Sequence, residues 1–181
     1  VERIVLAINR GERILVYGDY DVDGQASTAL LVSALREFGA RVEYYIPNRL
    51  HEGYGLSQGA VRELAPKADL LITVDCGITS IDEVALAREL GVDCVITDHH
   101  EPQAEIPAAV AVIDPKQKGC PYPEKDLSGC GVAYKLACAL SRALGRPDAD
   151  TDRWLDLVAL ATIADVVPLV GENRALVAKG L

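Results

Sequence analysis

Short hydrophobic segments recur along the first two thirds of the chain, and each is bounded by charged or turn-forming residues. Most are continuous runs rich in Val and Ile, which favours strands buried on both faces over half-exposed strands. The five predicted strands cover residues 13–18, 41–46, 69–74, 93–97 and 109–113.

Segments with helical periodicity separate these strands, and Gly39 and Gly91 follow two of them as C-terminal stops. The predicted helices of this part cover residues 26–38, 57–64 and 81–90. Because strand and helix alternate, the pattern predicts an α/β fold with a mostly parallel five-stranded sheet and helices on both faces. Helical periodicity at 129–144, 153–164 and 172–181 predicts a helical segment after the sheet.

Composition places the chain in a broad class. A length of 181 residues suits one domain with a real core, and no run of about eighteen apolar residues marks a membrane span. The N-terminus lacks a signal-peptide layout, and the five cysteines form no CxxC pair. We therefore expect a cytoplasmic protein with reduced thiols and no membrane association.

Charge argues against a nucleic-acid partner at first sight, because 27 acidic residues oppose 18 basic ones for a net charge of −9. That argument weakens if several aspartates bind divalent cations. Each bound cation adds two positive charges locally and reverses the field that a phosphate meets.

Acidic residues and histidines follow three of the predicted strands. They are Asp19, Asp21 and Asp23 after the first strand, Asp75 after the third, and Asp98, His99 and His100 after the fourth. The carboxyl ends of parallel strands meet at one edge of a sheet, where ligands bind. An aspartate there is often only the N-cap of the next helix, and a lone histidine is often a core residue. Their joint occurrence at three strand ends favours a shared site.

A cluster of carboxylates is costly, because like charges at contact distance raise one another's pKa. Two divalent cations about 3.5–4 Å apart, bridged by one aspartate, would offset that cost. Oxygen and imidazole ligands without thiolate favour Mn²⁺ or Mg²⁺ over zinc or iron.

Three other interpretations of the DxDxDG pattern fail. An EF-hand loop needs Glu at position twelve, where the chain has Leu30, and a strand rather than a helix precedes the motif. Phosphatases with a phospho-aspartate nucleophile carry Thr or Val where this chain has Asp23. The phosphate-binding pattern GxxxxGK[ST] is absent from the sequence.

Five motifs occur in a fixed order: GDYDVDG, NRLHEGYGL, VDCG, TDHH and ATIADVVPL. In this combination the chain resembles the DHH phosphoesterase superfamily, and within it the branch of single-strand-specific 5′→3′ exonucleases. The resemblance implies that residues 1–181 are the DHH catalytic core of a longer chain. A second, DHH-associated domain and an oligonucleotide-binding domain would lie outside these residues.

The resemblance also implies a ligand set for two cations. Asp21 and Asp75 would hold one cation. The other would be held by Asp23, Asp75, His99 and Asp165, so that Asp75 bridges the two. Asp165, at the end of an apolar helical run, stands out only through the resemblance.

Further roles follow from the same resemblance. Asp19 would support the first cation or its water, and Asp98 would orient a histidine. His100 would contact the scissile phosphate or help protonate the leaving oxygen. Arg49 would clamp a substrate phosphate, because guanidinium offers a planar fork to phosphate oxygens. Glycines that either shape turns or let backbone approach the substrate are Gly53, Gly55, Gly129 and Gly131.

The expected activity is two-metal hydrolysis of phosphodiesters, most simply 5′→3′ degradation of single-stranded DNA in repair and recombination. A single-strand-binding protein and a helicase are the expected partners of the longer protein. Two alternatives stay open. One is a small-substrate phosphoesterase acting on short oligonucleotides or phosphoadenosine phosphate, and the other is a non-catalytic relative that binds nucleic acid.

Overall fold

A computed structural model of the chain describes residues 1–50, 53–146 and 148–181. Its sheet has five strands in the order β2-β1-β3-β4-β5, and every neighbouring pair is parallel. The strands are β1 (Arg13–Tyr17), β2 (Arg41–Tyr45), β3 (Leu70–Val74), β4 (Asp93–Thr97) and β5 (Ala111–Ile113). The predicted α/β fold with a parallel five-stranded sheet is confirmed.

Seven α-helices accompany the sheet in the described part of the chain. They are α1 (Glu2–Arg10), α2 (Val22–Glu37), α3 (Gln58–Leu64), α4 (Ile81–Glu89), α5 (Gly129–Ala143), α6 (Leu155–Ala164) and α7 (Gly171–Gly180). Short 3₁₀ turns follow α3 at Ala65–Lys67 and precede α6 at Asp148–Trp154.

The core has two layers, one on each face of the sheet. Alternate residues of a strand point to opposite faces, so Ile14 and Val16 pack in the cluster that holds α1, α2, α5 and α6. Leu15 and Tyr17, from the same strand, pack in the cluster that holds α3 and α4. Helices therefore cover both faces, as predicted.

The helical segment after the sheet is part of this architecture rather than a separate cap. Buried residues of α5 and α6 share one apolar cluster with Leu30 and Leu31 of α2. The first face of the sheet is thus completed by helices that come late in the chain. None of the described helices combines the length and the apolar character needed to cross a bilayer.

Three predicted boundaries were wrong by more than one residue. One is the start of helix α6, because residues 153–154 belong to the 3₁₀ turn before it. Helix α2 begins at Val22, four residues earlier than predicted, because the Asp21 carboxylate caps it by accepting a hydrogen bond of 2.9 Å from Gly24 N. Gly24 lowers helix propensity, but the cap prevails. Strand β5 is shorter than predicted, since its pairing with β4 starts only at Ala111.

Candidate metal centre

Acidic side chains from separate elements converge at the carboxyl edge of the sheet. Three sets of residues each offer one ligand atom per residue, and the atoms inside each set lie within 4.8 Å of one another. They are Asp19, Asp21 and Asp75; Asp23, His99 and Asp165; and Asp75, His99 and His100. Every predicted metal-ligating residue belongs to one of these sets, and Asp75 lies between them.

The GDYDVDG segment places its aspartates by starting a helix. Asp21 is the N-cap of α2, and Asp23 lies in the first helical turn. Gly24 allows this turn to approach the backbone of Asp19, because a Cβ at position 24 would lie 2.6 Å from the Asp19 carbonyl oxygen. Burial raises the pKa of Asp19. Asp21 thus caps the helix and also belongs to the set of possible ligands with Asp19 and Asp75.

Asp23 is buried and held by the amino end of α5. Its Oδ2 accepts a hydrogen bond of 2.6 Å from Gly129 N, and its Oδ1 accepts one of 2.7 Å from Cys130 N. Burial raises the pKa of Asp23 to about 6, although these two N–H groups and His99 act in the opposite direction. The carboxylate is thus positioned by backbone donors and still carries an electrostatic cost.

Asp75 has the most unusual surroundings in the cluster. Its backbone adopts a left-handed conformation with φ of 61°, which is uncommon for a residue other than glycine. Its side chain is buried, and Oδ1 accepts no hydrogen bond. Burial and the neighbouring Asp23 and Asp21 raise the pKa of Asp75 to about 10. A carboxylate in such a place is ionised only if a cation compensates it.

His99 points its ring into the same space. Its Nε2 lies 3.1 Å from Asp75 Oδ1, 3.6 Å from Asp23 Oδ2 and 3.7 Å from Asp165 Oδ2. The ring is buried, and neither nitrogen has a hydrogen-bond partner. One imidazole nitrogen surrounded by three carboxylates is the donor geometry of a metal ligand.

Asp165 completes the set from the end of α6, where it is the C-cap residue. The next residue, Val166, has φ of 59°, so the chain leaves the helix through a left-handed turn. Asp75 and Val166 are the two residues other than glycine with positive φ in the described part of the chain. Both flank the cluster, which is where local strain is commonly tolerated.

Asp98 and His100 form a separate pair beside the cluster. Asp98 Oδ2 accepts from Ile78 N at 2.9 Å, and its Oδ1 accepts from His99 N at 2.7 Å and lies 2.6 Å from His100 Nδ1. Burial alone would raise the pKa of Asp98, but His100 and the backbone donors lower it. The bond to Asp98 raises the pKa of His100 to about 9. The predicted histidine-orienting contact of Asp98 is therefore made to His100.

Arg49 lies over the ring of Tyr20, with its guanidinium carbon 5.1 Å from the ring centroid. Tyr20 meets Tyr54 edge to face at 6.5 Å, and Tyr54 meets His100 in the same manner at 5.8 Å. The two tyrosines were missed in the sequence, because single aromatic residues in loops carry no pattern. His51 and Glu52, from the same predicted loop, lie outside the described residues.

Asp114 is a further acid that sequence reasoning missed. It follows β5 directly, is buried, and has one oxygen without a hydrogen-bond partner. Burial raises its pKa to about 6. The strand-end rule that selected Asp75 would also have found it in the segment AVIDPK.

The candidate glycines divide into two kinds. Gly53 and Gly55 have positive φ and shape the turn before α3. Gly129 and Gly131 belong to the first turn of α5, where Gly129 faces the aspartates. In the structure, then, Gly129 borders the acidic cluster itself.

The donor set fits hard divalent cations. Buried atoms without hydrogen-bond partners include Asp19 Oδ1, Asp75 Oδ1 and His99 Nε2. In the part of the chain that the structure describes, no Lys or Arg forms an ion pair with these carboxylates. Oxygen and imidazole donors that lack protein cations are suited to Mn²⁺ or Mg²⁺.

Comparison with known proteins identifies the family of the chain. The model of the DHH family, N-terminal domain, matches residues 13–162, which is most of the chain. The chain therefore belongs to the DHH family.

The relatives at 43–48% identity share one name. Over 181 residues the chain is 48% identical to the single-stranded-DNA-specific exonuclease RecJ of Bacillus subtilis, covering 99% of this chain and 22% of that protein. A crystal structure of exonuclease RecJ bound to manganese matches with a TM-score of 0.92 and 44% identity, over 99% of this chain and 45% of that one.

A second crystal structure, RecJ from Thermus thermophilus in complex with Mn²⁺, matches with a TM-score of 0.87 and 41% identity, over 99% of this chain and 25% of that one. The chain thus spans less than half the length of each of these relatives.

Proposed function

We propose that this chain is the catalytic DHH core of a metal-dependent exonuclease specific for single-stranded DNA. The observation that carries the proposal is the position of Asp75, whose buried Oδ1 has no hydrogen-bond partner and which belongs to two of the three sets of ligand residues. The names of the relatives at 44–48% identity support the substrate class.

Two divalent cations, Mn²⁺ or Mg²⁺, are assigned to the cluster. Asp21 and Asp75 would hold one cation, with Asp19 beside them. Their ligand atoms lie within one set. The other cation is assigned to Asp23, Asp75, His99 and Asp165, so that Asp75 is shared. The manganese and magnesium named for solved RecJ structures support the choice of ions.

Bound cations of this kind lower the pKa of water and stabilise both oxygens of an in-line displacement. The protein holds the ligands for them in place. His99 offers Nε2 to the cluster, and the amino end of α5 positions Asp23 through two backbone donors. Two residues with left-handed backbone, Asp75 itself and Val166 directly after Asp165, belong to the segments that carry these ligands.

His100 is assigned to the substrate rather than to a cation. Its Nδ1 is held by Asp98 at 2.6 Å, and the Tyr54 hydroxyl lies 3.3 Å from Nδ1 and 3.2 Å from Nε2. In the metal-free chain, the bond to Asp98 raises the pKa of His100 to about 9 and so favours its protonated form. It can therefore donate to a phosphate oxygen or to the leaving oxygen. Arg49, stacked on Tyr20, is assigned to a substrate phosphate.

The biological setting is part of the proposal. We assign the longer protein to repair and recombination in the cytoplasm, with 5′→3′ polarity and with a single-strand-binding protein and a helicase as partners. The RecJ relatives named as single-stranded-DNA-specific exonucleases support the substrate. Polarity, partners and compartment rest on the resemblance alone.

The test is hydrolysis by the full-length protein and by residues 1–181, with Mn²⁺ or with EDTA. The substrates are a 5′-phosphorylated single-stranded DNA, its duplex, an RNA of the same sequence and a dinucleotide. We expect Mn²⁺-dependent loss of the single-stranded DNA from its 5′ end, with weaker activity in the short chain.

Each other outcome has a meaning. Turnover of the dinucleotide alone would indicate a small-substrate phosphoesterase. Binding of single-stranded DNA without hydrolysis, by a full-length protein that binds Mn²⁺, would indicate a non-catalytic relative. Attack from the 3′ end would overturn the assigned polarity while leaving the metal chemistry intact.

A further inference from the structure

The amino end of α5 contacts Asp23 and Asp75, two of the proposed metal ligands. Gly129 and Cys130 donate their N–H groups to the two oxygens of Asp23, at 2.6 and 2.7 Å. These donors are the first two residues of a fifteen-residue helix. Both oxygens of the carboxylate are therefore fixed by one rigid element, which also offers the positive end of a helix dipole.

Gly129 also touches Asp75. A Cβ at position 129 would lie 2.7 Å from Asp75 Cβ, a distance that real Cβ contacts do not reach. Any residue other than glycine would have to displace the Asp75 side chain or push α5 away from the sheet. Position 129 thus sets how closely the helix approaches both carboxylates at once.

The other donors of this helix end are satisfied locally, so the end is rigid. Ser128, the N-cap, accepts a hydrogen bond of 3.1 Å from Gly131 N through its side chain. Its carbonyl oxygen accepts one of 3.0 Å from Val132 N. With the two bonds to Asp23, each of the first four N–H groups of α5 has a partner.

The same cap reaches the last helix of the site. Ser128 Oγ lies 3.2 Å from Thr162 Oγ1, and both side chains are fully buried. Thr162 lies three residues before Asp165, the C-cap of α6. One helix end therefore contacts Asp23 and Asp75 directly and is linked to the helix that carries Asp165.

From these contacts we infer that Gly129 and the Ser128 cap are positioning residues, which hold Asp23 and Asp75 at the spacing that the cations require. The inference rests on the proposed metal-dependent function. It assigns to the SGCG segment the support of the metal ligands, instead of contact with the substrate strand.

The test measures Mn²⁺ affinity by calorimetry or electron paramagnetic resonance, using the full-length protein. Gly129→Ala is compared with Gly131→Ala, two residues further along the same helix, where a new Cβ makes only ordinary contacts, at 3.4 Å with Leu127 and at 3.5 Å with Ser128 Oγ. We expect Gly129→Ala to weaken Mn²⁺ binding roughly 10- to 100-fold, as for changes behind metal ligands in general. Gly131→Ala should bind as the parent does.

If Gly129→Ala does not fold, a second pair of variants, Ser128→Ala and its control Ser141→Ala, tests the same inference. Ser128→Ala removes the cap and the contact to Thr162 without adding an atom. Ser141→Ala removes a buried hydroxyl from the other end of α5 that has no hydrogen-bond partner. We expect a loss of Mn²⁺ affinity in Ser128→Ala alone, with melting in EDTA reporting the stability of each variant.

The outcomes separate the two hypotheses. If the parent protein does not bind Mn²⁺, the proposed function fails. If the parent binds and both Gly129→Ala and Ser128→Ala bind equally well, the positioning role is refuted. If the variants and their controls lose Mn²⁺ affinity equally, the loss reflects general destabilisation, and the positioning role is refuted as well.

Discussion

The two ends of strand β3 carry one aspartate each, and the two carboxylates have opposite surroundings. Asp69 precedes the strand and is bound by Arg13, whose Nη2 lies 2.7 Å from Oδ1. That arginine lowers the pKa of Asp69 to about 2. Asp75 follows the strand, has no such partner, and has its pKa raised by burial to about 10.

The contrast extends along both edges of the sheet. At the amino edge, Arg3 pairs with Glu12 and with Asp93, each at 2.6 Å. At the carboxyl edge, the acids of the cluster meet histidine and backbone N–H groups, and none of the described Lys or Arg residues forms an ion pair with them. The protein neutralises acids with its own arginines where they stabilise the fold, and leaves them uncompensated where an external cation is needed.

The largest effect is expected from a substitution among the uncompensated acids at the carboxyl edge of the sheet. Asp75→Ala removes the ligand shared by both proposed cations, so nuclease activity should fall by ~10³-fold or more and Mn²⁺ binding should be lost. The measurement is single-turnover hydrolysis with parallel calorimetry. Asp69→Ala, at the other end of the same strand, is the control and should retain metal-dependent activity. Full turnover by Asp75→Ala would disprove the bridging role.

The next effect concerns the one buried acid of the carboxyl edge whose pKa is lowered. Asp98→Asn keeps the shape of the side chain but places an amide N–H₂ against donors, so His100 loses its orientation. We expect turnover to fall on the order of 10²-fold with Mn²⁺ affinity retained. In a double-mutant cycle, adding His100→Ala should cost little more. Additive losses would show that the two residues act independently.

A smaller effect is expected at Asp114, where a substitution should increase the stability of the fold instead of decreasing an activity. Since burial raises its pKa from 3.8 to about 6, the ionised form opposes folding at neutral pH. Asp114→Asn should therefore raise the free energy of unfolding of the metal-free protein by about 1 to 2 kcal/mol at pH 8. The gain should shrink as the pH falls through 6 and vanish below about 4. Denaturant unfolding in EDTA measures it, and destabilisation at pH 8 would contradict it.

The smallest effect belongs to the amino edge. Because the folded-state pKa of Asp69 is lowered to about 2, its pairing with Arg13 stabilises the fold above the unfolded-state pKa and is lost as the pH falls through 2. Asp69→Asn should be slightly destabilised at pH 7, since the pair is partly exposed, and equal to the parent near pH 2. Asp69→Asn and Asp114→Asn should thus differ in sign at pH 8. The same sign for both would remove the contrast between the edges.

Much of the site could be predicted because it follows from strand periodicity. Asp19, Asp75 and Asp98 come directly after apolar strands, and parallel strands bring their carboxyl ends together. Asp165 ends a helix, so only the family resemblance pointed to it. Helix α2 was predicted four residues too short, since Gly24 lowers helix propensity whereas the Asp21 cap starts the helix at Val22.

The remaining features depend on contacts that no local pattern contains. Gly129 meets Asp23 across 106 positions of sequence, and Ser128 meets Thr162 across 34. The sequence predicts a helix from residue 129, but no local pattern shows which side chains its first glycine contacts. The missed Asp114 is different, because the strand-end rule was available and was not applied to the last strand.

The contact between Asp23 and Gly129 also has a consequence for how the chain folds. The proposed ligands are distributed from position 19 to position 165, and they meet only after α5 and α6 have docked on α2. Closing such long loops is slow, and no early intermediate could assemble the whole cluster. Bound cations should therefore slow unfolding much more than they accelerate folding, so that metal protects the completed fold instead of nucleating it.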